Sequence, residues 1–229
     1  MNQCLITSSG LTDIGTVRKK NEDAFLEMPE AGLWCVADGM GGHYSGEIAS
    51  QRIIEVLRQL GERYKGKELI KRVPNVLNAV NAEMRILARN IADNAIIGST
   101  VVVLVLEGDG YHCFWTGDSR CYLWRENQLK QITRDHCASQ VEGVKSNQLT
   151  QAIGAFDEFY VDLETGLLFE GDTFLLCTDG LTKVFDNQML ADRLQHPYVD
   201  EVNEDFISEA LTAGARDNVT SVILSLEYT

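Results

Sequence analysis

The sequence predicts an α+β domain in which two antiparallel sheets lie between layers of helix, in the order α-β-β-α. Two observations carry this. Apolar residues recur at helical spacing in two long segments of the first half, and from residue 98 this gives way to short strand-like runs divided by turn residues. The regular strand–helix alternation that a parallel doubly wound sheet requires is absent.

Taken in order, residues 4–15 begin as a mixed strand and turn at Asp13-Ile14-Gly15. A charged run, Arg18 to Asp23, leads into a strand at Ala24-Phe25-Leu26. The apolar run 33–37 reads as a buried strand. Over 45–64, Ala49, Ile53, Leu57, Leu60 and Tyr64 form a helical stripe, and Glu47 falls near the helix N-terminus, where a carboxylate is favoured. A second helix is expected over 74–93, with Pro74 in its first turn and Leu77, Val80, Met84, Leu87 and Ile91 facing inward. Strands follow at 98–107, 111–116, 121–125 and 129–132, separated by Gly108-Asp109-Gly110 and Glu126-Asn127, and read as one antiparallel meander. Residues 133–160 are irregular and polar. Strands resume at 160–163 and 173–178, helices at 187–195 and 205–215, and a last strand at 219–226.

Composition narrows the function. The chain has 229 residues, 45% hydrophobic and 24% charged, which fits one large domain or at most two small ones. Its 20 basic and 34 acidic residues leave a net charge of −14, which repels phosphate backbones and anionic bilayers and so argues against a nucleic-acid partner. The longest aliphatic run, 101–106, is too short to span a membrane, and the first residues lack the pattern of a signal peptide. Six cysteines without a C-x-x-C pair read as reduced thiols of a cytoplasmic protein.

Four aspartates share one context. Asp38 follows a buried strand and precedes Gly39-Met40-Gly41-Gly42-His43, whose glycines permit tight turns and close backbone approach. Asp118 and Asp179 each follow an apolar run, and Asp217 precedes the last strand. One such residue is a turn; four suggest an acidic cluster that needs counter-charge, which two divalent cations would supply.

The ordered motifs Arg18-x-x-Asn21-Glu22-Asp23, Val36-Ala37-Asp38-Gly39-Met40-Gly41-Gly42, Gly98-Ser99-Thr100, Gly117-Asp118-Ser119-Arg120, Leu149-Thr150-Gln151-Ala152-Ile153-Gly154, Thr178-Asp179-Gly180-Leu181 and Arg216-Asp217-Asn218 resemble those of the metal-dependent protein serine/threonine phosphatases (PPM, type 2C) in their bacterial stand-alone form. No single motif is specific; the order is. The resemblance implies one domain over 1–229, a four-layer sandwich with a dinuclear metal site at one end, and a flap at about 134–160. By position it implies that Asp38 bridges two Mn²⁺ or Mg²⁺ ions, that the Gly39 carbonyl serves one ion, and that Asp179 and Asp217 serve the other. Asp118 would share a weaker third ion with Asp179. Glu22 and Asp23 would hold waters in a second layer, Asn218 would orient Asp217 or a loop, and Arg18 would grip the substrate phosphate. An Arg18–Glu22 salt bridge is the plainer reading of that pair.

The implied reaction is hydrolysis of phosphoserine and phosphothreonine in proteins, by a hydroxide bridging the ions and without a phosphoenzyme. Phosphoproteins, including a Ser/Thr kinase, are the implied partners. The chain departs from the family in three places. Met40 stands where many animal members have a histidine, which makes His43 the candidate general acid. Gln151 replaces a common arginine, and the flap segment 137–148 is short. Two related readings stay open: a phosphatase of a regulatory anti-sigma antagonist, and a non-catalytic phosphoprotein-binding relative. A structural metal-binding domain is a third.

Overall fold

The computed structural model describes residues 4–41, 46–92, 95–138 and 148–228. Among the described residues, eleven strands form two antiparallel sheets. In chain order the strands are β1 (Cys4–Asp13), β2 (Asp23–Met28), β3 (Leu33–Met40), β4 (Gly98–Ser99), β5 (Val101–Glu107), β6 (Gly110–Thr116), β7 (Arg120–Arg125), β8 (Gln128–Gln131), β9 (Asp162–Leu167), β10 (Thr173–Cys177) and β11 (Val219–Tyr228). The helices are α1 (Gly46–Arg63), α2 (Gly66–Ile91), α3 (Asp179–Thr182), α4 (Asn187–Leu194) and α5 (Val199–Thr212). One sheet runs β1-β11-β10-β7-β8 and the other β2-β3-β5-β6-β9, with β4 paired to β3.

Three apolar layers hold the sandwich in the expected α-β-β-α order. Leu57, Leu77 and Met84 of α1 and α2 pack on Val103 and Val105. Trp34, Val102, Phe174 and Leu224 fill the space between the sheets. Phe185, Leu190 and Phe206 cover the far face of the other sheet, against Tyr122 and Ile223. The period-2 strands explain this division: Val102 and Leu104 face the inner layer while Val101, Val103 and Val105 face the helices.

Several expectations change. The second helix starts at Gly66, so Pro74 lies inside it and not in its first turn. Leu69 and Val73 are fully buried and continue the stripe N-terminal to Leu77, and that burial offsets the backbone bond the proline removes. At the other end Ile91 is 60% exposed, because a helix of 26 residues, ~39 Å long, outruns the strands beneath it. The strands from 98 to 132 are not one meander. β5–β6 is a hairpin of one sheet and β7–β8 of the other, since the chain crosses between sheets at Gly117-Asp118-Ser119. Alternation sets which face a strand buries but not which sheet it joins. Thr100 separates β4 from β5, β9 lies at Asp162–Leu167, α5 begins at Val199, and the short α3 was unforeseen. Glu126 and Asn127 do form the tight turn, both with positive φ. Part of the expected flap, 139–147, lies outside the described residues.

Candidate metal centre

Antiparallel register brings the four aspartates to one end of the sandwich. Val36 pairs with Val102 and Val101 with Thr116, so the end of β3 and the end of β6 lie together. Cys177 pairs with Ser221 and with Arg120, so the end of β10 meets the starts of β11 and β7. Asp38, Asp118, Asp179 and Asp217 sit on those ends. They line one cavity of ≈ 370 Å³ together with Arg18, Glu22, Gly39, Thr100 and Asn218.

The cavity walls are tied down by the backbone. Thr100 N donates to Asp38 O at 2.9 Å, and Ser99 Oγ donates to the same oxygen at 2.9 Å. Thr100 Oγ1 and Ser119 Oγ share a 2.7 Å hydrogen bond, which ties the Asp38 strand to the Asp118 link. Gly39 does not need a positive φ; it needs to be small. A Cβ there would lie 2.3 Å from Gly46 O, where the start of α1 crosses β3.

Asn218 holds the loop that carries Arg18 and Glu22. Its Oδ1 accepts from Glu22 N at 2.9 Å, and its Nδ2 donates to Ile14 O and Lys20 O at 2.9 Å each. It also donates its own N–H to Asp217 Oδ1 at 3.1 Å, so it steadies both a loop and the neighbouring aspartate. Asp23 is buried behind the cavity, and its Oδ2 accepts from Thr178 Oγ1 at 2.8 Å and Thr220 Oγ1 at 2.7 Å, across the two sheets. Arg18 reaches Asp217, with Nε 2.8 Å from Oδ1, in place of the Arg18–Glu22 bridge.

Electrostatics shows the surplus of negative charge in the cavity. Burial pushes the Asp38 carboxyl well above the carboxylate range, and the neighbouring charges of Asp23, Asp179, Asp118 and Asp217 add to this. Burial also raises Asp118 to about 6, with Asp179 and Asp135 contributing, and raises Asp23 to about 7. Asp217 differs: burial alone would raise it, but hydrogen bonds from Arg18 and Lys183 outweigh that and lower it. Asp179 Oδ1 is buried without a hydrogen-bond partner among the described residues. Five carboxylates on the walls face the two cations Arg18 and Lys183. Among the described residues, no three His, Cys, Asp or Glu side chains close into a ready-made cage for one ion. The donor set is nonetheless all oxygen, carries surplus negative charge and has an orphaned carboxylate oxygen, which fits hard divalent cations.

Sequence reasoning missed Lys183 and Thr100. Lys183 had a signal, since it stands four residues after Asp179 and a helix places such a pair together. Thr100 had none beyond its motif. His136 is structural: Gly117 N donates to its Nδ1 at 3.2 Å, and its Nε2 lies 3.1 Å from Asp162 Oδ2. Gln151 Nε2 donates to Glu158 O at 3.1 Å. His43 lies outside the described residues.

The sequence model of protein phosphatase 2C matches residues 16–214, a span that holds Arg18, Asp38, Asp118 and Asp179. The chain belongs to the protein phosphatase 2C family. Among curated 2C relatives, the serine/threonine protein phosphatase PstP of Mycobacterium tuberculosis is 32% identical over 224 residues, 93% of this chain. The alignment takes in 43% of PstP, so the chain spans less than half of that relative's length. Among solved 2C structures, PppA of Pseudomonas aeruginosa, described as a key regulatory component of the T6SS, superposes with a TM-score of 0.91 at 35% identity, over 98% of this chain and 100% of that one. The catalytic domain of PstP in complex with two manganese ions superposes with a TM-score of 0.88 at 29% identity, over 98% and 100%.

Proposed function

We propose that the chain is a metal-dependent phosphatase that hydrolyses phosphoserine and phosphothreonine in proteins, and that residues 1–229 act as one catalytic domain. The reading is carried by the convergence of Asp38, Asp118, Asp179 and Asp217 with Arg18 on one cavity, in a chain of the 2C family. Asp38, Asp179, Asp217 and the Gly39 carbonyl would hold two ions, Mn²⁺ or Mg²⁺, with Asp118 and Asp179 available to a weaker third. When bound, such ions supply Lewis-acid charge and an activated water.

The chain's own residues supply position and charge. Arg18 lines the cavity, and a guanidinium matches the oxygens of a phosphate group. Glu22, on the same wall, orients water. Asn218 keeps both at the cavity by fixing the loop that bears them. Asp23 braces the wall from behind through Thr178 and Thr220.

The products of a Ser/Thr kinase in the cytoplasm are the proposed substrates. The unpaired thiols of Cys35, Cys113, Cys121 and Cys177 support a reducing compartment, and no described helix is long and apolar enough to cross a membrane. The test is phosphate release from a phosphothreonine peptide with Mn²⁺ present. Release that stops in excess chelator is expected; release that continues undiminished rejects the reading.

A further inference from the structure

Beside the metal cavity lies a second groove of ≈ 570 Å³. It shares Arg18 and Asp217 with the cavity, so the two adjoin at that ion pair. Three chain segments form its walls: the loop that carries Val17 and Arg18, the residues of α3 and its end, and the link before β11.

These walls are fixed to one another. Thr16 donates to Ala215 O twice, from N at 2.8 Å and from Oγ1 at 2.9 Å. Lys183 N donates to Asp179 O at 2.8 Å, which holds the end of α3. Gly15, at φ 76°, packs so close that a Cβ would lie 2.0 Å from Asp217 O. The groove is therefore preformed.

Its lining is mixed. Val17, Val184 and Ala215 give an apolar surface, and Val17 is 56% exposed. Arg18, Lys183 and Arg216 add three positive charges. Arg18 and Lys183 already share Asp217, whereas Arg216 is exposed and makes no ion pair among the described residues. On a chain with a net charge of −14, this is a local reversal of sign.

We infer that this groove receives the extended segment next to the phosphorylated residue of a protein substrate, and favours acidic residues there. The inference rests on the phosphatase reading above. Adjacency to the cavity brings the flanking residues of a bound phosphoresidue to the groove, since each extended residue advances the chain by only ~3.3 Å. The apolar surface receives the backbone and side-chain stems, and Arg216 supplies charge complementary to carboxylates. Complementary charge of this kind acts on choice of partner more than on the chemical step.

The test compares kcat/KM of the full chain with Mn²⁺ on two phosphothreonine peptides that differ only in their flanks, Glu in one and Gln in the other. The native protein should prefer the acidic peptide about 5-fold, the scale of an exposed ion pair. Arg216→Glu and Val17→Glu lie on different walls, and each should abolish or invert that preference. Equal rates on the two peptides, or a preference that survives both substitutions, would overturn the inference and leave the phosphatase reading standing. Hydrolysis of neither peptide by the native protein would overturn that reading, and the inference with it.

Discussion

Lys183 joins two of the site's aspartates. Its ammonium nitrogen lies 2.6 Å from Asp179 Oδ2 and 3.1 Å from Asp217 Oδ2, linking the end of β10 to the start of β11. It thus stands on oxygens that a divalent cation would use. Replacing it with methionine removes a competing positive charge and should tighten Mn²⁺ binding. The lysine is half exposed, so screening holds the effect to about 1 kcal/mol, roughly 5-fold. Calorimetric titration with Mn²⁺ checks this, and unchanged or weaker affinity counts against the competition.

Asp38→Asn should separate activity from stability. Turnover of an aryl phosphate should fall by about 100-fold or more, because a carboxylate that would hold the cations is lost. The chelated protein should melt at a higher temperature than native, since the substitution removes a carboxyl whose charged form burial and four neighbouring aspartates disfavour. A variant that loses activity by losing its fold would show the opposite shift in melting.

Arg18→Ala should weaken phosphate binding without weakening metal binding. A charge-assisted contact is worth about 1.5–3 kcal/mol, which corresponds to roughly 10- to 100-fold in kcat/KM. Arg18 also holds Asp217 at 2.8 Å, and its loss removes a positive charge from that carboxylate. Affinity for Mn²⁺ should accordingly stay level or rise while the inhibition constant for inorganic phosphate increases. If Mn²⁺ affinity falls and phosphate inhibition does not change, Arg18 acts on the metals and not on the substrate.

Stability without divalent cations should fall as pH rises through the acid range. Burial lifts Asp23 from an ordinary 3.8 to about 7 in the folded chain. Between those values the folded state holds a proton that the unfolded state has released, so unfolding is favoured more at each step upward in pH. The loss begins near pH 4 and is complete near pH 7. Asp23→Asn, which keeps an acceptor for Thr178 and Thr220, should flatten this part of the curve. Thermal melts of chelated protein across pH 4 to 8 measure it, and parallel curves for variant and native would exclude Asp23 as the source.

No cysteine should act as a nucleophile. Cys35, Cys121 and Cys177 are fully buried, and burial pushes each thiol upward, away from the reactive thiolate. Cys137 is closer to the site, with Sγ 3.9 Å from Asp118 Oδ2, and burial raises it to about 11. Single replacement by alanine at each position should leave aryl-phosphate turnover within about 3-fold of native where the fold survives, as expected for changes that touch packing alone. Abolition of turnover in a folded, metal-binding variant would reverse this assignment.

The amino-acid order alone determined the local elements and the kind of chemistry. Leu57 and Met84 lie on stripes with a 3.6-residue period, and Val101 to Leu106 alternate between two faces, so helix, strand and buried face follow from spacing. The set Asp38, Asp118, Asp179 and Asp217 was legible because each borders an apolar run. Tertiary structure decided what spacing does not encode. Pro74 is carried inside α2 because Leu69 and Val73 before it and Leu77 after it are all fully buried. The hairpins β5–β6 and β7–β8 part company because a two-residue period specifies a face and not a sheet. Arg18 turns to Asp217 and away from Glu22, four residues along, because β11 starts beside its loop and Asn218 fixes that loop in place. Such contacts join residues about 200 positions apart, and only the closure of two antiparallel sheets against each other brings them within hydrogen-bonding distance.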